Sequence, residues 1–320
     1  MKAITIGVYN PKHIHQASPY CGDNVFAKGL EQNGFQVSRL DYRDDPTPNT
    51  TLLELANYIK PTLFWFGKCE KITWHTLSAL REKHSDAVFV KWAADVRTKP
   101  VPFELAFNQY MDWYFPTFGG YWLKRHLNDK MVGVASIVAF TDSSYYKPIE
   151  IADTWNSDVL FTGRTNMEAE VNRAKILNYI LEEGINLKWY GQKNWIQHPE
   201  YLKAINGAKI GLGINHFVRP LYTSDRLANY ISCGTFFLSQ YFPGIQNVFN
   251  KDELSWFKTK KECVEKIKYY LKEEEERKSM AKKARKKVLK YFDSKPLVEN
   301  LLHIINKGKS KYPWDYVYKN

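Results

Sequence analysis

Short apolar runs rich in β-branched and aromatic residues recur along the chain, separated by stretches with a helical period. Residues 3–9 (AITIGVY), 35–40, 62–67 (TLFWFG) and 87–93 (AVFVKWA) read as buried strands. Between the first two, Gly22-Asp23-Asn24 opens a helix with Val25, Phe26 and Leu30 on its apolar side, and Asn33-Gly34 ends it. Residues 51–59 and 72–84 follow as helices. Strand and helix therefore alternate, which predicts βαβ units and a parallel sheet. A helix at 103–110, a short strand at 112–117, a Gly119-Gly120 turn, a helix from Tyr121 and a short strand at 137–140 complete this half. Residues 141–154 read as a loop, and the domain boundary is placed there.

The alternation then restarts. Residues 158–162 (DVLFT) form a strand broken by Gly163-Arg164, 168–183 a helix, and 187–190 a strand with Gly191 after it. His198-Pro199 opens a helix to 205, and 209–214 (KIGLGI) is a strand ending in Asn215-His216. Residues 219–256 carry the densest signal. Tyr222-Thr223-Ser224-Asp225 is a helix start, Leu227, Ala228, Tyr230 and Ile231 give the period, and Cys233-Gly234 is the stop. Residues 235–239 (TFFLS) are a strand, and a Pro-Gly turn follows within 240–247. The start of that helix offers N–H donors and a partial positive charge, with Arg219 and Arg226 on either side, so it can hold an anion. Ordinary capping by Thr223, Ser224 or Asp225 accounts for the same residues. Helices over 260–292 and 296–305 follow. The tail, 307–320, has Tyr312, Trp314, Tyr316 and Tyr318 available to pack on the first domain.

A chain of 320 residues is expected to form two domains. It has no apolar run long enough to span a membrane, and its N-terminus leads into a strand rather than a signal peptide. Cys21, Cys69, Cys233 and Cys263 are isolated, with no CxxC pair for zinc, and a reducing cytoplasm is the simple inference. The formal charge is +12, and residues 258–290 hold 14 Lys or Arg against 6 Glu. Such a surplus suits nucleic acid, an anionic membrane face or a phosphorylated substrate. A solvated helix surface explains it as well. Met280, Ala284 and Val288 leave that helix one apolar and one basic face, and the cations interleave with Glu273–Glu276 rather than with aromatics. No P-loop occurs, and Gly7 is followed by Val8, Tyr9 and Asn10 instead of a GxGxxG turn. Ligands of open α/β sheets bind beyond the carboxyl ends of strands, where Asn10, Lys68 and Asp95 stand.

TSDRLANYISCGTFFLSQYFPGI, DVLFTGRTN and YLKAINGAKIGLGIN resemble the CgeB-type (spore-protein-like) branch of the GT-B glycosyltransferases, over about residues 157–257. In the first domain the resemblance rests on strand order and the loop TDSSYYKP. It implies an α/β GT-B fold of two facing Rossmann-like domains with a central cleft. Residues 1–150 would take the acceptor, 151–295 the nucleotide sugar, and 296–320 would pack back on the first domain. The implied reaction moves a sugar from a nucleotide-diphosphate sugar to an acceptor hydroxyl in the cytoplasm, with no metal and no cofactor. Without a metal, arginines and a helix N-terminus must stabilise the leaving diphosphate. Carried over by position, Gly163 and Arg164 meet the diphosphate, Ser224 meets a phosphate with Thr223 and Asp225 beside it, and Arg226 is a second charge or a partner of Asp225. Gly191 and Asn215 complete the donor side. Where many GT-B enzymes hold the ribose with Glu, this chain has Asn229, which hydrogen-bonds without charge assistance. For an inverting reaction the first candidate base is Asp95, then Asp23 or His15, with His216 nearer the donor. Alternatives are a transferase directed to DNA or another polyanion, a catalytically silent binding protein, and a sugar-nucleotide epimerase. The sequence shows no acid–base set for the last.

Overall fold

In the computed structural model, which describes residues 1–9, 22–94, 101–165, 171–191 and 194–320, the apolar runs become the strands of two sheets. Each sheet lies in its own unit: Met1–Val138 with Ser294–Asn320, and Ala139–Asp293.

The first unit opens with β1 (Lys2–Gly7), α1 (Gly22–Gln32), β2 (Gln36–Asp41), α2 (Pro48–Ile59) and β3 (Leu63–Phe66). It continues with α3 (Trp74–Lys83), β4 (Val88–Ala93), α4 (Pro102–Asn108), β5 (Trp113–Pro116), α5 (Tyr121–Lys124) and β6 (Gly133–Ala135). These strands are parallel to their neighbours. β3 is buried at every position because helices cover both faces of the sheet. On one face Trp65 lies 5.4 Å from Phe26 of α1 and stacks on Phe115. On the other, Phe64 and Phe66 pack against Phe89, and Phe107 of α4 meets Phe66 edge-on.

The second unit holds β7 (Ser157–Thr162), α6 (Val171–Glu182), β8 (Leu187–Tyr190), α7 (Glu200–Gly207), β9 (Ala208–Gly213) and α8 (Arg226–Ser232). It continues with β10 (Phe236–Gln240), α9 (Ile245–Val248), β11 (Ser255–Phe257), α10 (Lys260–Lys272) and α11 (Glu274–Tyr291). Its strand order is β11-β10-β9-β7-β8, parallel throughout. The core sets Val159, Phe161, Ile210, Leu212 and Leu238 against Leu177 and Ile180 of α6 and Ile267 of α10. A reciprocal cap starts α10: Thr259 accepts from Glu262 N, and the Glu262 carboxylate accepts from Lys258 N. Met280, Ala284 and Val288 are buried on α11, the face the sequence marks as apolar.

The chain then returns to the first unit. α12 (Ser294–Lys307) packs on α1, with Ser294 bonded to Gln32, and β12 (Val317–Lys319) runs antiparallel to β6. The sequence pattern shows no strand in that tail, and it places a strand at 137–140 that does not form. The paired segment is Gly133–Ala135, while residues 137–140 are buried without a ladder, β5 having already ended at Pro116. The chain passes between units at 138/139 and 293/294, rather than at 150/151 and 295/296. Residues 141–146 stay with the second unit because Thr141 N bonds Phe292 O, Ser143 bonds Asp293, and Tyr146 O accepts from Ser232. No helix among the described residues is long and apolar enough to cross a membrane.

Candidate functional site

The carboxyl ends of β7, β8 and β9 gather most of the residues singled out in the sequence. Gly163 follows β7 with φ +150, and its N–H bonds Tyr190 O at the end of β8. A Cβ on Gly191 would lie 2.1 Å from Gly163 O, so the two glycines let adjacent strand ends close on each other. Two buried guanidiniums fasten this corner. Arg226 donates from Nη1 to Thr162 O (2.9 Å) and from Nη2 to Ile214 O (3.1 Å). Arg173 of α6 donates from Nε to the same Ile214 O (2.9 Å) and from Nη1 to Arg164 O (3.2 Å). Both sit near the ring of Phe161, at 5.8 Å for Arg173 and 5.1 Å for Arg226. Arg164 is thus held by its main chain, while its side chain is exposed and has no hydrogen bond or ion pair among the described residues. Arg173 Nη1 also lies 3.0 Å from His216 Nε2. A guanidinium only donates, so His216 accepts there as the neutral Nδ1–H tautomer.

The helix start at α8 is built differently from an anion cradle. Arg226 makes no ion pair with Asp225; its guanidinium reaches back under the strand ends, and its Nε is buried without a hydrogen bond. Exposed Asp225 caps the helix through Arg226 N. Ser224 Oγ is buried with no hydrogen bond, and Thr223 is buried. Asn215 bridges the end of β9, its N–H to the Gln240 side chain and its Nδ2 to Tyr222 O. Asn229 is buried, and its Oδ1 accepts from Thr141 Oγ1 (3.0 Å). Donor-side residues of the sequence reading therefore cluster, but Arg226 and Asn229 face inward.

Sequence reasoning missed Arg173 and His198. His198 lies between two phenols, Nδ1 2.6 Å from Tyr145 OH and Nε2 3.4 Å from Tyr146 OH. Burial pushes its pKa down to about 4, so it is a neutral ring over the ordinary pH range. Tyr201 and Tyr230 extend the cluster, and Tyr230 OH meets Thr162 Oγ1 at 2.8 Å, which ties it to the end of β7. His198 could be found only through its partners, which stand more than fifty residues upstream.

Among the candidate bases, Asp95 and His15 lie outside the described residues. Asp23, at the first turn of α1, sits at the carboxyl ends of the first unit's strands. Its carboxylate accepts from Val8 N (2.9 Å) and Trp92 Nε1 (2.8 Å), against the backbone of Gly7 and Gly67. Burial raises its pKa to about 6, against the pull of those two hydrogen bonds. Among the described residues no three His, Cys, Asp or Glu side chains come together as a metal site. Cys69, Cys233 and Cys263 are buried and free.

Two α/β sheets in two units, parallel except for the edge strand β12, with glycine-closed strand ends in the second, define a doubly wound class of protein. Residues 172–303 match the family described as glycosyl transferase-like. Sucrose-phosphate synthase from Thermosynechococcus elongatus is similar in structure, with a TM-score of 0.63 at 10% identity, covering 96% of this chain and 98% of that one. HepE from Anabaena, in complex with UDP, aligns with a TM-score of 0.60 at 11% identity over 96% of this chain and 100% of its own. A putative UDP-N-acetylglucosamine 2-epimerase from Listeria monocytogenes aligns at 0.55 and 9% identity, covering 96% of each chain. The sequence matches no curated protein. The fold is GT-B.

Proposed function

We propose that this protein is a glycosyltransferase that takes a sugar from a nucleotide-diphosphate sugar and passes it to an acceptor hydroxyl. The observation that carries this reading is Arg164: an exposed guanidinium without a partner among the described residues, on a strand end held by two buried arginines. As the sugar leaves, negative charge grows on the diphosphate, and a cation carried to that point by a fixed main chain stabilises the transition state more than the ground state. Arg164 supplies that charge. Arg173 and Arg226 are positioning residues that fix the loop, and Asp225 offers a carboxylate to a sugar hydroxyl. In this reading no metal or further cofactor is called for. The glycosyl transferase-like match over 172–303 and the UDP held by HepE support a nucleotide-sugar donor. The motif from Thr223 to Phe257 favours the CgeB-type branch, and a cytoplasmic location goes with the free cysteines. Asp23 is proposed as the base on the acceptor side.

A specific observation favours a second reading, a silent nucleotide-sugar binder. The residue at the ribose position, Asn229, already has its Oδ1 engaged by Thr141. The two readings separate in one assay. The protein is incubated with UDP-, GDP- and dTDP-linked hexoses, and release of the nucleoside diphosphate is followed by chromatography. Release from donors of one base supports transfer. Binding of a donor without release, with and without added sugar acceptors, supports the silent reading.

A further inference from the structure

At the opposite end of the second sheet, where β9 begins at Ala208 and β10 at Phe236, lies a groove of about 330 Å³. Its floor is Thr235, Phe236 and Ala281, and its cations are Lys209, Arg277, Lys278, Lys282 and Arg285. Arg277 is the distinctive member. It is only 6% exposed, and its Nη1 donates to Tyr270 O and Leu271 O at the end of α10. Its Nε and Nη2 have no partner among the described residues, yet neither is sealed away from solvent. A guanidinium fixed at one nitrogen, with its other N–H groups open on a groove, is a preorganised oxyanion donor. Lys282 is exposed and makes no ion pair among the described residues, and Arg285 is held through Nε to Ser232 O (2.8 Å), leaving its terminal nitrogens unbonded.

We propose that this groove is a second anion site, which takes the phosphate group of a soluble phosphate ester. Its volume suits a small phosphorylated molecule. A continuous polyanion fits less well. Asp158 lies beside Lys209 and Glu274 beside Lys278, so a run of phosphates along the rim would meet negative charge at both places, whereas one phosphate on Arg277, Lys282 and Arg285 meets only Glu274, whose charge Lys278 offsets. A bilayer fits less well too, since no large exposed apolar side chain lines the groove. The site is separate from the carboxyl-end corner by the length of β9, roughly 20 Å at about 3.3 Å per residue. It does not rest on the transferase reading.

The test is calorimetric titration with inorganic pyrophosphate of wild type, of Arg164→Ala and of the double variant Lys278→Ala/Lys282→Ala. Both lysines are exposed, so the double variant keeps the fold. A parallel crystal soak in sodium tungstate locates the anion by anomalous scattering. The expected result is binding retained in Arg164→Ala, weakened about tenfold or more in the double variant, with tungsten beside Arg277. Binding lost in Arg164→Ala and unchanged in the double variant would overturn the proposal, as would no binding to wild type at millimolar concentration. Sedimentation with phosphatidylserine-containing vesicles that pyrophosphate fails to compete would overturn it in favour of a membrane surface.

Discussion

Replacing Arg226 by Met tests whether a buried arginine, rather than the helix start beside it, sets the geometry of the strand ends. The substitution keeps an unbranched apolar stem reaching about as far as Nε while removing the guanidinium, with its donors to Thr162 O and Ile214 O and its place 5.1 Å from the Phe161 ring. Hydrogen bonds from a charged donor contribute about 1.5–3 kcal/mol each, so the gross loss is about 3–6 kcal/mol. Two features reduce it. Ile214 O keeps the Nε of Arg173, and Met removes a guanidinium whose Nε is buried without a partner, a penalty of about 1–3 kcal/mol. The net expectation is a destabilisation of about 2–3 kcal/mol, with Arg226→Lys in between because one ammonium cannot meet both carbonyls in the same geometry. Equilibrium urea unfolding measures it as a lowered midpoint at unchanged slope. An Arg226→Met protein as stable as wild type would refute the reasoning. It would mean that the contacts of Arg226 with Thr162 O and Ile214 O contribute nothing net to the strand ends.

Three further outcomes are expected. Gly191→Ala places a Cβ 2.1 Å from Gly163 O, so it should cost about 1–3 kcal/mol by overpacking and weaken nucleotide binding in the same preparation, as thermal melting and titration would show. His198, depressed to about 4 in the folded chain, is expected to take up its proton near 6.5 when unfolded. The unfolded chain therefore binds more protons between about pH 4 and 6.5, and stability rises with pH across that window. His198→Phe should flatten part of that rise in melting temperature and leave the part due to His126, which burial also holds at about 4. Asp23, raised to about 6, works as a base only once ionised, so turnover should fall below about pH 6, and Asp23→Asn should lower it roughly 10²- to 10⁴-fold, read in a pH–rate profile.

The helix at α8 was legible because its punctuation is local. Asp225 caps it, and Gly234, at φ +85, ends it where the Cys-Gly pair predicts. The alternating strands were legible because burial on both faces demands continuous apolar runs, as in β3. The strand at the tail was not, since three residues on a sheet edge carry no period that a pattern can register. What the sequence hid about the site is mostly the destination of long side chains. Residues i and i+1 on a helix do not face each other, so adjacency in sequence does not pair Arg226 with Asp225, and its partners stand 64 and 12 residues upstream. Arg173, in the middle of a polar helical stretch, reads as a solvated residue until α6 turns it onto Ile214 O. Asn229 reads as a ligand contact until Thr141, 88 residues earlier, is seen to occupy its carbonyl.

The most direct measurement is calorimetric titration of UDP, GDP and dTDP into wild type and Arg164→Ala. Arg164 is exposed and its main chain carries the loop contacts, so the variant should fold as wild type does. The account expects one of the three nucleotides to bind wild type and to bind Arg164→Ala about tenfold or more weakly, the loss of one charge-assisted contact to a phosphate. No heat from any nucleotide at millimolar concentration, or equal affinity in the two proteins, would contradict it.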